Sequence, residues 1–239
     1  MLFSALGVQC GDLVCAVGGG GKTSLLRALS RAATQRGLTA VLTTTTHMQA
    51  PEPGVPLCSA FDPDRLRALL DAHGFCTLGH AEGRRLSSAP GTDFARLRGL
   101  ADVTLCEADG AHCLSCKAPA GHEPALPPEA SLVVGVMGVT ALGHPIAEGC
   151  HRPHIVARVL DVPQETPLAP EHAALLLTSP LGQRKGVPDG ARYVALINQA
   201  DSPERLEQAL HIARLCERRG VRAVVTAFHR GDDPLYSTP

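Results

Sequence analysis

The chain has 239 residues, 44% of them apolar, and a formal net charge of −1 at pH 7. That is material for one large α/β domain with its own core, and the lack of a basic stripe argues against a nucleic-acid partner. No apolar run reaches the ~18 residues that cross a bilayer, which excludes a helical membrane span.

The start, Met1-Leu2-Phe3-Ser4-Ala5-Leu6, lacks the basic region of a signal peptide. Nine cysteines without an export signal then read as reduced thiols, and the expected location is cytoplasmic. Residues 13–17 form a continuous apolar run and predict a buried first strand. Gly18, Gly19, Gly20 and Gly21 follow, then Lys22-Thr23-Ser24, and residues 23–36 carry a helical pattern that Gly37 ends. Strand, bare backbone and helix N-terminus, in that order, make a phosphate-binding loop. Glycines let the backbone approach phosphate oxygens, and the free N–H groups of the helix start face the anion. Lys22 is expected to reach the terminal phosphates of ATP or GTP, and the Thr23 hydroxyl to ligate Mg²⁺. The usual first glycine of such a loop is Ala16 here, so the loop is a shortened variant that begins at Gly18.

Residues 39–44 predict a second strand, with Thr43 and Thr44 as β-branched core residues. Beyond them Thr45, Thr46 and His47 offer hydroxyls and an imidazole that could contact phosphate, metal or water and respond to the nucleotide state. Residues 62–72 predict a helix with Asp62 as N-cap and Pro63 at its first position. Residues 75–78 and 84–86 suit the strands of a short hairpin, and residues 94–100 a helix. Residues 103–106 are a third core strand that ends in Glu107-Ala108-Asp109. Side chains alternate along a strand, so Glu107 and Asp109 can share a face. An acid at a strand end beside a phosphate loop completes a Mg²⁺ shell directly or through water, and either of the two could be the ligand.

Residues 118–128 are aperiodic and rich in Pro and His, hence a loop. Lys117, His122 and Glu123, with His151 and Arg152 further on, combine cation, imidazole and carboxylate, suited to an anionic substrate or to proton transfer. Cys113 and Cys116 form a C-x-x-C without a second pair, which reads as unpaired thiols before it reads as a metal site. Residues 132–136 are a fourth strand, and residues 151–160 and 170–177 are helices. The chain reads as a single domain, in which residues 138–190 could form a lid or small subdomain. Residues 193–197 and 223–225 are the fifth and sixth strands, joined by the amphipathic helix 203–218. Asn198-Gln199-Ala200-Asp201 keeps the Asn and Asp spacing of guanine-reading Asn-Lys-x-Asp segments, with Gln199 in place of the lysine. Asp201 either accepts from a guanine edge or, with Ser202, belongs to an ordinary helix start.

Alternating strands and helices predict an α/β fold whose mostly parallel central sheet is covered by helices. The ordered blocks Gly-Gly-Gly-Gly-Lys-Thr, Thr-Thr-Thr-Thr-His-Met, Glu-Ala-Asp-Gly-Ala, Lys-Ala-Pro-Ala-Gly-His-Glu-Pro, His-Arg-Pro and Leu-Ile-Asn-Gln-Ala-Asp resemble the selenium-dependent hydroxylase accessory proteins. The resemblance runs from about residue 13 to residue 201. It implies a P-loop NTPase-like three-layer sandwich and a role in maturing a selenium-dependent molybdenum hydroxylase or its cofactor. Lys22 and Thr23 would then serve the nucleotide, Glu107 and Asp109 the metal, and Lys117, His122, Glu123, His151 and Arg152 a family-specific surface. Three activities are compatible with these residues: a Mg²⁺-dependent NTP-hydrolysing accessory factor, a non-hydrolysing nucleotide-dependent binding module, and a kinase or nucleotidyltransferase acting on a molybdenum-cofactor precursor.

Overall fold

The computed structural model describes residues 1–238. The first half contains α1 (Leu2–Leu6), β1 (Asp12–Gly18), α2 (Lys22–Thr34), β2 (Ala40–Thr44), β3 (His47–Gln49), β4 (Leu57–Cys58), α3 (Pro63–His73), β5 (Phe75–Leu78), β6 (His80–Glu82), β7 (Arg85–Ser87), α4 (Phe94–Arg98) and β8 (Val103–Glu107). The second half contains β9 (Cys116–Lys117), β10 (Leu132–Gly138), a 3-10 turn (Val139–Ala141), α5 (Ile146–Gly149), β11 (Cys150–His151), α6 (Pro153–Leu160), α7 (Pro170–Thr178), β12 (Arg192–Asn198), α8 (Pro203–Arg218), β13 (Ala223–Val225) and β14 (Tyr236–Ser237).

Nine strands form one sheet in the order β14-β13-β12-β10-β1-β8-β2-β5-β4, parallel throughout except for the antiparallel edge strand β14. The strands β1 and β10 are buried along their whole length, as a central parallel strand covered on both faces must be. Alternate residues feed separate layers. Val14 and Ala16 of β1 pack with α1 and α2 on one face, while Leu13, Cys15 and Val17 join the opposite face. That opposite face carries α3 and α4 at one end and α6, α7 and α8 at the other, so the architecture is three-layered, α/β/α. α6 and α7 share one apolar cluster with α8 and strands β12 and β13.

Local chemistry sets the helix ends. The Asp62 carboxylate accepts from the amides of Asp64 and Arg65, both at 3.1 Å, with Pro63 next, and Gly74 ends α3 at a left-handed φ of 68°. Ser202 Oγ accepts from the Arg205 amide at 3.3 Å and caps α8, so the cap is Ser202 and not Asp201.

Two expectations about elements are corrected. Residues 75–78 and 84–86 do not pair. β5 is buried along most of its length and lies parallel to β2 and β4 in the main sheet. β7 instead pairs with β6 across a Gly83-Arg84 turn, with Gly83 at φ 57°, and with β3 on its other side. The helix expected from residue 151 begins at Pro153, because Cys150 and His151 pair in parallel with Cys116 and Lys117, and Arg152 turns the chain at a left-handed φ of 59°.

The chain steps outward from β1 to β2, β4 and β5, returns at β8 beside β1, and then crosses to β10, β12 and β13 on the far side. Strand order therefore reverses at β1, whose carboxyl end carries the glycine loop. Open α/β sheets bind ligands at such a switch point.

Candidate functional site

The loop from Gly18 to Gly21 demands glycine for two reasons. Gly18, Gly20 and Gly21 have φ of 97°, 77° and 133°, a region that side chains rarely adopt. The packing is also close: a Cβ on Gly18 would stand 2.2 Å from the Val136 carbonyl oxygen, and one on Gly21 2.2 Å from Asn198 Nδ2. The Gly19 and Gly20 amides are engaged by the Val136 and Leu114 carbonyls at 2.9 and 3.1 Å. The next four backbone N–H groups, of Gly21, Lys22, Thr23 and Ser24, have no acceptor among the described residues, and α2 has no side-chain cap. They open a helix of 13 residues, whose dipole adds to their pull on an anion.

These groups sit at one end of a cleft of about 760 Å³. Lys22, Thr23, Ser24 and Glu107 form the loop side, and Thr46, His47, Arg84 and Arg85 from the β3–β7 sheet form the facing side. His112, His122, Glu123 and Gln199 close it.

Charge behind the loop is organised around two acids. Glu107, at the end of β8, accepts a hydrogen bond from Thr23 Oγ1 at 2.7 Å and lies 3.7 Å from Lys22 Nζ. Burial pushes the Glu107 carboxyl above its ordinary value, against the opposing pull of Lys22 and Thr23. Both oxygens of Asp109 lie 3.0 Å from the Gly18 amide nitrogen. Lys22 Nζ stands 3.3 Å from Asp109 and donates to the Gly18 carbonyl at 2.6 Å.

Lys117 has no exposed surface. Its ammonium lies 3.0 Å from Asp109 Oδ2, 2.7 Å from Glu123 Oε2 and 2.6 Å from the Gly110 carbonyl. Arg152 also pairs with Glu123. Burial raises the Glu123 carboxyl, but hydrogen bonds from Lys117 and Arg152 and the Lys117 charge outweigh it and bring it down to about 2. His151 stacks on His112 with ring centroids 4.6 Å apart. Burial, with Arg152 and Lys117 nearby, lowers His151 to about 4, and its Nε2 is buried without a partner among the described residues.

The residues singled out from sequence thus separate into groups. Gly20, Gly21, Lys22, Thr23, Ser24, Thr46, His47, Glu107, His122 and Glu123 line the cleft. Gly18 and Gly19 form the back of the loop. Asp109, Lys117 and Arg152 stand behind or beside the cleft and reach it through the ion pairs described, and His151 reaches it through its stack on His112. Thr45 is tied by its amide to the Glu107 carbonyl at 3.1 Å, and its hydroxyl is buried without a partner among the described residues. Thr43 and Thr44 are buried core residues whose hydroxyls bond the carbonyls of Leu78 and Glu107.

Asn198 is engaged: Nδ2 donates to the Gly20 carbonyl at 2.8 Å, and Oδ1 accepts from Thr226 Oγ1 at 3.0 Å. Asp201 lies off the cleft, 3.8 Å from Arg205. Gln199, at a left-handed φ of 68°, does line the cleft, with Oε1 accepting from Ser115 and Thr140. Arg84 and Arg85 carry no site role in the sequence reading, and Gln199 enters it only in place of a base-packing lysine. Adjacent arginines at a glycine turn were the one visible signal, and only the β3–β7 pairing brings them to the loop.

Among the described residues no group of three or more His, Cys, Asp or Glu is arranged as a metal cage. Thr23 Oγ1 and Glu107 Oε2 are hard oxygen donors at one point of the cleft, which suits a Mg²⁺ that keeps most of its waters and takes phosphate oxygens. Asp109 is already committed to Gly18 and two ammonium groups.

The YqeC protein family model matches residues 14–154, which include the glycine loop, both acids and Arg152. Over 218 residues the chain is 31% identical to the Escherichia coli (strain K12) protein described as "uncharacterized protein YqeC", covering 89% of this chain and 85% of that relative. The chain belongs to the YqeC family.

Proposed function

We propose that the cleft binds a Mg²⁺–nucleoside triphosphate and that the chain is a P-loop NTPase serving as an accessory factor for a selenium-dependent molybdenum hydroxylase or its cofactor. The observation that carries the nucleotide reading is the row of four unpartnered amides from Gly21 to Ser24, beside Lys22 and Thr23. Backbone donors at a helix start, a buried ammonium and a hydroxyl–carboxylate pair are what a polyphosphate with its metal requires. The accessory role rests on the six ordered sequence blocks.

On this reading the phosphates draw Lys22 away from Glu107 and Asp109, and its charge moves to the transferring group. Thr23 and Glu107 would hold Mg²⁺, which supplies charge neutralisation at the phosphate oxygens. Asp109 keeps the Gly18 amide fixed, so the loop is shaped before the ligand arrives. The occupied Asn198 and the off-cleft Asp201 give guanine no selective partner, and the reading therefore takes ATP at least as readily as GTP.

Calorimetric titration with non-hydrolysable ATP and GTP analogues in the presence of MgCl₂ tests this. Wild type is expected to bind one equivalent, and Lys22→Ala to bind at least ~10-fold more weakly, as loss of a charge-assisted bond implies. Equal affinity in the two proteins, or no binding to wild type, removes the nucleotide reading.

A further inference from the structure

A second pocket lies away from the phosphate end, on the face of the sheet that carries α2. That helix covers β1, β8 and β2, and α3 and α4 sit on the other face. Between α2 and the outer strands opens a cavity of about 490 Å³, within the range of small-molecule sites. Leu42 and Phe75 supply apolar surface from the strands, and Met48 supplies it from β3.

Three polar groups in or behind its wall lack partners among the described residues. Ser30 Oγ and Thr77 Oγ1 are buried with no hydrogen bond, on residues only 6% and 1% exposed. Buried hydroxyls ordinarily find an acceptor or donor, and a helical serine has the preceding turn's carbonyl in reach. Arg27, half-buried, makes no ion pair or side-chain hydrogen bond among the described residues. Its neighbour Arg31, in contrast, holds Asp232 through two bonds of 2.7 and 2.8 Å. With Arg31 committed to Asp232, Arg27 is left unpaired among the described residues, and the acid on the rim, Glu52, is exposed.

We propose that this pocket binds an anionic aromatic or heteroaromatic small molecule, with Leu42, Met48 and Phe75 packing on its ring and Arg27 pairing its anion. A cation would meet the unpaired Arg27, and a purely apolar guest would leave that guanidinium without a partner. Met48 and Gln49 line this pocket and the phosphate cleft alike, so β3 is the wall between two sites. The proposal does not depend on the nucleotide reading.

The test titrates the full chain with 1-anilinonaphthalene-8-sulfonate, a flat arene carrying one sulfonate, followed by fluorescence and calorimetry. One saturable site is expected in wild type. Arg27→Gln should weaken it about tenfold, and Val55→Trp, which fills the lining, should abolish it. Circular dichroism identifies variants that keep the fold, and Arg27, on a half-exposed helix face, is the one chosen to do so. Unchanged affinity in folded Arg27→Gln overturns the proposal, as does failure of wild type to bind or binding of several weak equivalents.

Discussion

Lys117 Nζ lies 3.0 Å from Asp109 Oδ2, and the two side chains are 0% and 1% exposed. The contact is one link in a row of alternating charge, Lys22–Asp109–Lys117–Glu123–Arg152, that connects the glycine loop to the turn before α6. Lys117 is placed there by the short β9–β11 pairing, in which it faces His151. The sequence suggested a polar surface for this block, and its central lysine is instead wholly interior.

Removing that lysine takes one of two cationic partners from each of two buried carboxylates. Lys117→Met is expected to cost about 3–5 kcal/mol, the usual consequence of breaking a buried ion pair from one side. The additional change Asp109→Asn should recover part of the loss, since it removes one of the two carboxylates left with a single cation. Urea unfolding of the single and double variants measures both. A loss below ~1 kcal/mol for Lys117→Met would mean that the row is not a structural unit.

Glu107 and Thr23 are expected to act through the metal. Glu107→Gln retains shape and a partner for the Thr23 hydroxyl but removes the charge. Affinity for an ATP analogue should then become nearly independent of MgCl₂, whereas wild type should gain with added metal. Titrations with and without MgCl₂ read this directly, and an undiminished Mg²⁺ dependence in the variant would assign the metal to another residue.

Acid should act in two windows. The folded pKa of His151 is lowered from 6.5 to about 4, so the unfolded chain takes up its proton first as pH falls. Its contribution is complete above 6.5 and is lost on the way down to about 4. Glu123 is lowered from 4.5 to about 2, so its contribution is complete above 4.5 and lost between there and about 2. Denaturant midpoints measured from pH 8 to pH 3 should fall in both windows for wild type. His151→Gln should flatten the upper window, and Glu123→Gln the lower one.

Much of this was legible in the chain itself. The glycine loop, the strands through residues 13–17, 103–106 and 132–136 and the helix 203–218 follow from periodicity and local capping, and each is found within a few residues. Glu107 and Asp109 were recognised as a pair on one face, but not their different commitments. Those depend on which neighbour each meets, Thr23 for one and Gly18 with Lys117 for the other. Of the β3–β7–β6 sheet only the strand near residues 84–86 was expected, and with another partner, because strands of three residues are too short for a period to register. Arg84 and Arg85 therefore stood out only as adjacent arginines after a glycine, with nothing to place them at the cleft. The role of Gln199 was hidden for another reason. Its position follows from a left-handed backbone turn and bonds from Ser115 and Thr140, which lie far from it in sequence.

The segment Asn198 to Asp201 gives the last prediction, because its two readings part on separate measurements. Ser202 caps α8, so Ser202→Ala should lower stability by ~1 kcal/mol. Asp201→Asn should leave the ratio of ATP-analogue to GTP-analogue affinity unchanged, since that carboxylate lies off the cleft. Asn198→Ala releases the Gly20 carbonyl and the contact with Thr226 together. It is expected to weaken both analogues by the same factor, because what it loosens is the loop that holds the phosphates and not a surface that reads the base. Calorimetry on the three variants separates these effects. A selective loss of the GTP analogue in Asp201→Asn would restore guanine recognition, and it would require the turn after β12 to swing Asp201 into the cleft when nucleotide binds.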